Sequence, residues 1–380
     1  MKAVFVHDHK FRRIENNLYS PGGLANEVLQ RYVSVFENLS VIGRIIDENQ
    51  VNITYSKIDL EHISIKTGES LESEISDADA VIIRLPSING LKAIKLAKKM
   101  NKPYLVEVVG CALDSYWNYN LKGKLVAIPA YFITRQAVQS ATHAVYVTKE
   151  FLQSRYPNKN KTCAISDVAL QPTDTQVLEN RLNKINNMNR KLVLGTAGAV
   201  DVVYKGQEFV IRAIPEIEKR LGVTVEYHLA GSGDTTRLTA IAKECGVEDR
   251  IKFAGVVSHN LIFDWFDSLD VYIQSGTVEG LSRALLEAMS RGLPCIATQV
   301  GGNPELVDKN YLVSKSNADK IPSLMADCIC NIYVSEEMKN QAKHNFSKAN
   351  NEYNRAELDA KRVSFYTNFR DSMIIKKFKD

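Results

Sequence analysis

Two carboxylates eight residues apart, Glu279 and Glu287, have Arg283 four residues from each. Gly276 and Gly280 break the apolar run VYIQ (Val271–Gln274), and Ser282 can cap a helix that runs to about Arg291. Glu279 then falls in the loop before the helix and Glu287 in its second turn, where positions four apart share a face. Gly280, Leu281 and Ser282 lie where the first N–H groups of a helix have no intrahelical partner. Together with the helix dipole these make an anion site. One loop and one helix thus offer an anion cradle, an acid beside it and a second acid deeper in. That set suits a ligand carrying both phosphate and sugar hydroxyls. A structural reading is also open, with Glu279 capping the helix and Glu287 pairing with Arg283.

A second cluster lies upstream. Lys191–Gly195 reads as a strand and leads into Gly195-Thr196-Ala197-Gly198-Ala199, then Tyr204-Lys205-Gly206 and a helix over 207–221, with Pro215 marking a kink. A lysine at the mouth of a glycine-rich strand–helix turn is well placed for a diphosphate. Hydrogen bonds of that charged kind are worth about 1.5–3 kcal/mol; an ordinary surface lysine is the alternative. The strand Val223–Ala230 ends in Gly231-Ser232-Gly233, which lacks the third glycine of a dinucleotide fingerprint and supports NAD only weakly.

The elements that must position these residues follow an α/β plan. Lys2–His7 reads as strand one. The basic stretch Lys10, Arg12 and Arg13 follows as a loop, either solvated or facing an anionic acceptor. Gly22 and Gly23, before a helical pattern over 24–36, could admit phosphate to the backbone. His7 and His9 read as a polar lining rather than a metal pair, because no third ligand is placed. Strands over 41–46, 80–84, 103–109 and 143–147 alternate with helices over 89–100 and 125–140. Asp77-Ala78-Asp79 precedes its strand, the wrong end of a parallel sheet for a ligand, and reads as a turn. Asp114 and Trp117 end a strand–loop segment that should face the ligand; Trp117 could stack on a sugar or simply pack. The polar, asparagine-rich segment 180–190 reads as an exposed connection.

The 380 residues suffice for two domains, and 45% hydrophobic with 24% charged residues is the composition of a globular protein. A net charge of +4 is too small to argue for nucleic acid, but is compatible with an anionic substrate or light contact with an acidic membrane surface. The apolar start AVFVH is too short for a secretory segment and no run is long enough to span a bilayer, so a cytoplasmic location is expected. Six scattered cysteines, without C-x-x-C, read as reduced thiols.

The E-x7-E pair, followed by A-x3-G-x-P (Ala288 to Pro294) and then by Gly301-Gly302 before Pro304-Glu305, resembles the nucleotide-sugar site of retaining glycosyltransferase family four. The phrases HDHKF, YSPGG, VTKEFLQSRYP and VYKGQ extend the resemblance to a bacterial branch serving capsule, O-antigen or exopolysaccharide synthesis. The resemblance implies the GT-B fold: two Rossmann-like domains with parallel sheets facing a central cleft, and a last helix crossing back to the first. The expected division is 1–175, a linker over 176–190, 191–355, and the returning helix over 356–380.

It also implies roles. Lys205, Glu279 and Arg283 are the catalytic set, with Lys205 on the β-phosphate and Glu279 on hydroxyls of the transferred sugar. Glu287 holds the ribose. Val256 and Val257 read the base edge, and Gly22, Gly23, Gly198, Gly231, Gly280, Leu281 and Ser282 complete the nucleotide site. The family's arginine about five residues before the lysine is replaced by Val200, so Arg283, Arg12 or Arg13 must substitute. Its histidine near Gly110–Trp117 is missing too. The expected reaction is metal-independent, retaining transfer from a UDP- or GDP-sugar to a glycan or polyprenyl-diphosphate-linked acceptor, with peripheral membrane contact. Two rivals stay open: a nucleotide-sugar epimerase, which would convert its donor without acceptor, and a non-catalytic nucleotide-sugar-binding protein.

Overall fold

The computed structural model describes residues 1–52, 55–118, 121–188, 191–258 and 261–377. The chain forms two compact units, residues 1–167 together with those from 356 onward, and residues 168–355. No helix among the described residues is long and apolar enough to cross a membrane.

The first unit is built on β1 (Lys2–Ile14), whose Ala3–Val6 segment is wholly buried. It carries β2 (Asn17–Ser20), β3 (Asn38–Asp47), β4 (Ser56–Lys57), β5 (Ile63–Thr67), β6 (Ala80–Leu85), β7 (Tyr104–Val108), β8 (His143–Tyr146) and β9 (Lys161–Ala164). The parallel core runs β5-β3-β1-β6-β7-β8-β9, with β2 and β4 added antiparallel beside the far end of β1. Strand one is therefore twice the expected length. Pairing with β3 shifts between Val6 and Lys10 and then resumes, from Lys10 opposite Arg44 to Arg13 opposite Asp47. The basic stretch read as a loop is strand because its main chain has partners on both sides. Its side chains find acids nearby, Arg12 Nε with Glu48 at 2.9 Å and Arg13 with Asp47 at 3.5 Å.

The final helix, Arg355–Lys377, packs on this unit from residue 356. Tyr366 stacks on Tyr32, with ring centroids 5.6 Å apart, and both hydroxyls donate to the buried Glu107 carboxylate, that of Tyr32 at 2.8 Å. Arg362 donates to Ser166 O at 2.8 Å. A carboxylate can be buried here because charged hydrogen bonds replace its water.

The second unit has β10 (Lys191–Ala197), β11 (Thr224–Ala230), β12 (Ile251–Gly255), β13 (Val271–Gln274), β14 (Cys295–Thr298) and β15 (Leu312–Val313), all parallel, in the order β12-β11-β10-β13-β14-β15. The order reverses between β10 and β13, which sit side by side although 73 residues separate Ala197 from Val271. Open parallel sheets bind ligands outside the strand C-termini at such a reversal. The helix Gln207–Leu221 continues through Pro215 without a break.

The segment expected as an exposed linker is helical over Thr175–Asn186. Its Arg181 is buried and donates to the carbonyls of Leu269, at 2.5 Å, and Phe266, at 3.2 Å. A polar sequence is held as structure because one guanidinium satisfies carbonyls that would otherwise lack donors. Residues 189 and 190 of that expected connection lie outside the described residues.

Candidate active site

Lys205 and Glu279 meet at the switch point. Lys205 ends a short helical turn, Val203–Lys205, in the loop after β10; Glu279 lies in the loop after β13. The ammonium Nζ stands 2.8 Å from Glu279 Oε1. Gln274, the last residue of β13, donates its amide to the same oxygen at 2.8 Å. The other end of that amide is also held: Gln274 Oε1 accepts from Ser282 Oγ at 2.9 Å and from the Tyr272 hydroxyl at 3.0 Å. A buried amide fixed at both ends cannot flip, so the Glu279 carboxylate has a set orientation. Both bonds fall on Oε1, while the ammonium has three donors and gives one to Glu279. The pair can therefore hold a hydroxyl and a phosphate at once.

Ser282 caps the helix Arg283–Ser290, accepting from Leu285 N at 3.3 Å. Glu279 therefore does not cap this helix. It lies before the first turn, so the four-residue spacing to Arg283 carries no shared face on that side, and its partner is Lys205. Glu287 sits within the helix, where burial pushes its carboxyl up to about 7; the charge of Arg283 acts weakly the other way. Arg283 itself is exposed at the helix start.

The glycines interlock the loops. Gly198 N donates to Ala230 O at 2.8 Å, Val200 N to Ser232 O at 2.9 Å, and Gly231 N to Gly255 O at 2.8 Å, tying together the loops after β10, β11 and β12. A Cβ on Gly231 would stand 2.0 Å from Gly198 O. Val256 and Val257 follow Gly255, whose φ of +66° turns the chain, and Val256 is exposed. Gly302 N donates to Gly280 O at 2.6 Å. In this unit the structure thus brings Gly198, Gly231, Val256, Val257, Gly280, Leu281, Ser282, Lys205, Glu279, Arg283 and Glu287 onto loops and helix starts at one end of the sheet.

In the first unit, Gly22 and Gly23 follow β2 rather than β1, with open space where a side chain would lie. His9 Nε2 pairs with Ser20 Oγ at 2.9 Å. Partial burial, with the charge of Arg84 next, pushes the His7 and His9 rings down to about 4. Asp8 accepts from Ile88 N at 2.5 Å and Asn89 N at 3.1 Å at the start of the helix Ile88–Lys99. Trp117 is exposed rather than packed, with Lys124 Nζ 5.9 Å from its ring. Asp77 ends a helix and Asp79 precedes β6, the turn expected.

Gln274 and Tyr272 were missed by sequence reasoning. The available signal was a glutamine ending a fully apolar strand at the C-terminal edge of a parallel sheet, where side chains face ligand.

With this geometry in view, known proteins are informative. The Anabaena protein HepE, solved in complex with UDP, superposes with a TM-score of 0.66 at 15% identity over 97% of this chain and all of its own. The fold is therefore that of the GT-B enzymes. Residues 191–333 match the family described as Glycosyl transferases group 1. Protein CapJ of Staphylococcus aureus is 32% identical over 372 residues, 92% of each chain. A putative colanic acid biosynthesis glycosyltransferase, WcaL of Salmonella typhimurium, is 29% identical over 133 residues, 32% of each chain. The chain belongs to the group 1 glycosyl transferases.

One glycine gives a direct test of the site's construction. Gly301 has φ +54°, and a Cβ there would lie 2.0 Å from Glu279 O. Gly301→Ala should lower the chemical denaturation midpoint by the equivalent of at least about 1–2 kcal/mol, the cost of the left-handed residue alone. It should also weaken donor binding by shifting the Glu279 loop; a wild-type midpoint and affinity would contradict this geometry.

Proposed function

We propose that this enzyme is a retaining glycosyltransferase that moves a sugar from a nucleotide-diphosphate donor to a glycan or polyprenyl-diphosphate-linked acceptor in cell-surface polysaccharide synthesis. The Lys205–Glu279 contact at the sheet reversal carries the reading. It sets a fixed cation for a diphosphate against a fixed carboxylate for sugar hydroxyls. Similarity to CapJ over nearly the whole chain, and to a protein named for colanic acid biosynthesis, supports the polysaccharide setting.

In this reading the bond between the anomeric carbon and the β-phosphate oxygen breaks, and its electron pair stays on the diphosphate. The acceptor hydroxyl attacks the same face, and its proton passes to a diphosphate oxygen. Negative charge grows on the leaving group, and Lys205 with the N–H groups at the start of the 283–290 helix offsets it. Donors aimed at developing charge are typically worth about 2.7–4 kcal/mol each. Arg283, at that helix start, is the better-placed substitute for the family's missing arginine, because Arg12 and Arg13 already pair with acids. Glu287 accepts from ribose hydroxyls. These cations take over the task a divalent metal would have. The enzyme acts in the cytoplasm at the inner membrane face, where a lipid-linked acceptor is presented.

Lys205→Ala should lower kcat roughly a hundredfold or more with an unchanged melting temperature; full turnover in that variant removes the proposed role. Activity should survive EDTA, and its complete loss, restored by a divalent cation, would overturn the metal-free mechanism. Glu287 must be ionised to accept two hydroxyl bonds, and its carboxyl titrates near 7. UDP- or GDP-sugar affinity should therefore rise with pH through that value and level off above it. By calorimetry the rise should disappear in Glu287→Gln; an identical pH profile in the variant counts against the ribose contact.

A further inference from the structure

The helix Leu121–Gln139 in the first unit is built inside out. The residues it buries are small: Gly123, Ala127, Thr134 and Ala137, with Val138. Its large apolar side chains face solvent. Leu121, Leu125, Ile128 and Phe132, spaced four, three and four, form one stripe, and Val126 and Ile133 lie beside it. Leu121 and Leu125 are each 80% exposed and Phe132 61%. Folding does not explain this face, since the small residues already make the contact with the unit. Six large apolar groups left in water on one helix mark a surface meant to be covered.

The charge around the stripe decides what covers it. From residue 115 to residue 149 the chain contains no aspartate or glutamate, while Lys122, Lys124, Arg135 and Lys149 fall within it. Lys122 and Lys124 are exposed at the start of the helix, next to Leu121 and Leu125, and Lys124 reaches the ring of the exposed Trp117 on the preceding helix, Ala112–Trp117. An apolar face flanked by lysines and an interfacial aromatic is the pattern of a helix lying in the headgroup layer of an anionic membrane. The helix is not apolar enough to span.

We propose that the 121–139 helix is the membrane-docking element, lying flat on an anionic lipid surface with Leu121, Leu125 and Phe132 inserted and Lys122 and Lys124 against lipid phosphates. This deepens the reading that the acceptor is presented at a membrane, but rests on a surface remote in sequence from Lys205 and Glu279.

The full chain is tested by co-sedimentation with vesicles of phosphatidylcholine containing phosphatidylglycerol, against phosphatidylcholine alone. A Trp265→Phe background leaves Trp117 as the one tryptophan of the chain. The expected result is binding to the anionic vesicles with a blue shift of Trp117 emission. Leu125→Gln/Phe132→Gln and Lys122→Glu/Lys124→Glu should each lower the partition at least tenfold. Both variants should keep the wild-type melting curve and the thermal shift given by UDP, so a failure here is distinguishable from a failure of the transfer reading. The proposal is overturned if the wild type stays in the supernatant, if both variants sediment as it does, or if neutral vesicles are bound equally. It is also overturned if sedimentation velocity shows a dimer abolished by Leu125→Gln/Phe132→Gln with no lipid binding.

Discussion

Everything specific to this protein's chemistry depends on two strands being neighbours. Lys205 lies just beyond β10 and Glu279 just beyond β13, and the sheet order puts those strand ends side by side. Neither residue is remarkable alone: a lysine after a glycine turn and a glutamate before a helix occur in many surfaces. Brought to 2.8 Å, they become a site with both signs of charge at fixed positions. The loops after β10 and β13 are tied together beyond the strand ends, Thr277 N donating to Tyr204 O at 2.8 Å and Ser275 Oγ to Lys205 O at 2.9 Å, at the sheet reversal where open parallel sheets take ligands.

What keeps that pair in place is a set of neutral contacts. Gln274 donates to Glu279 and receives from Ser282 and Tyr272, so a helix cap, a strand end and a loop carboxylate share one network. Glycines do the complementary work by letting backbones approach. Gly231 admits the carbonyl of Gly198, and Gly301 admits that of Glu279. A site that must hold a diphosphate needs its donors set before the charge arrives, because reorganising them during the reaction would add to the barrier. Glu287 is the exception in character. Burial raises its carboxyl to about 7, which makes it responsive to pH near neutrality.

The two units use burial of charge in similar ways. In the first, Glu107 is enclosed by two tyrosine hydroxyls and holds the final helix to the sheet. In the second, Arg181 is enclosed by backbone carbonyls and holds a helix that reads as linker. Both combine hydrogen bonds with a more distant opposite charge, Arg84 at 3.9 Å from Glu107 and Asp267 at 3.7 Å from Arg181, and both secure polar segments. The Leu121–Gln139 helix is the reverse case, since its apolar pattern is strong but its large side chains point away from the unit.

From the sequence came the alternation of strands and helices, the helix capped by Ser282, the glycines that end the strand at Gly231, and the candidate set around Lys205, Glu279 and Glu287. These are local properties, set by side-chain periodicity, capping chemistry and glycine's freedom, and they need no partner to be legible. Tertiary structure alone decided which of those pieces touch. Strand one runs on to Ile14 because β2 and β3 pair with it, the polar 175–186 segment is helix because Arg181 finds carbonyls some 85 residues away, and Glu279 faces Lys205 rather than Arg283. Pairings of that range depend on sheet order, and sheet order is settled by the packing of the whole unit rather than by any window of residues.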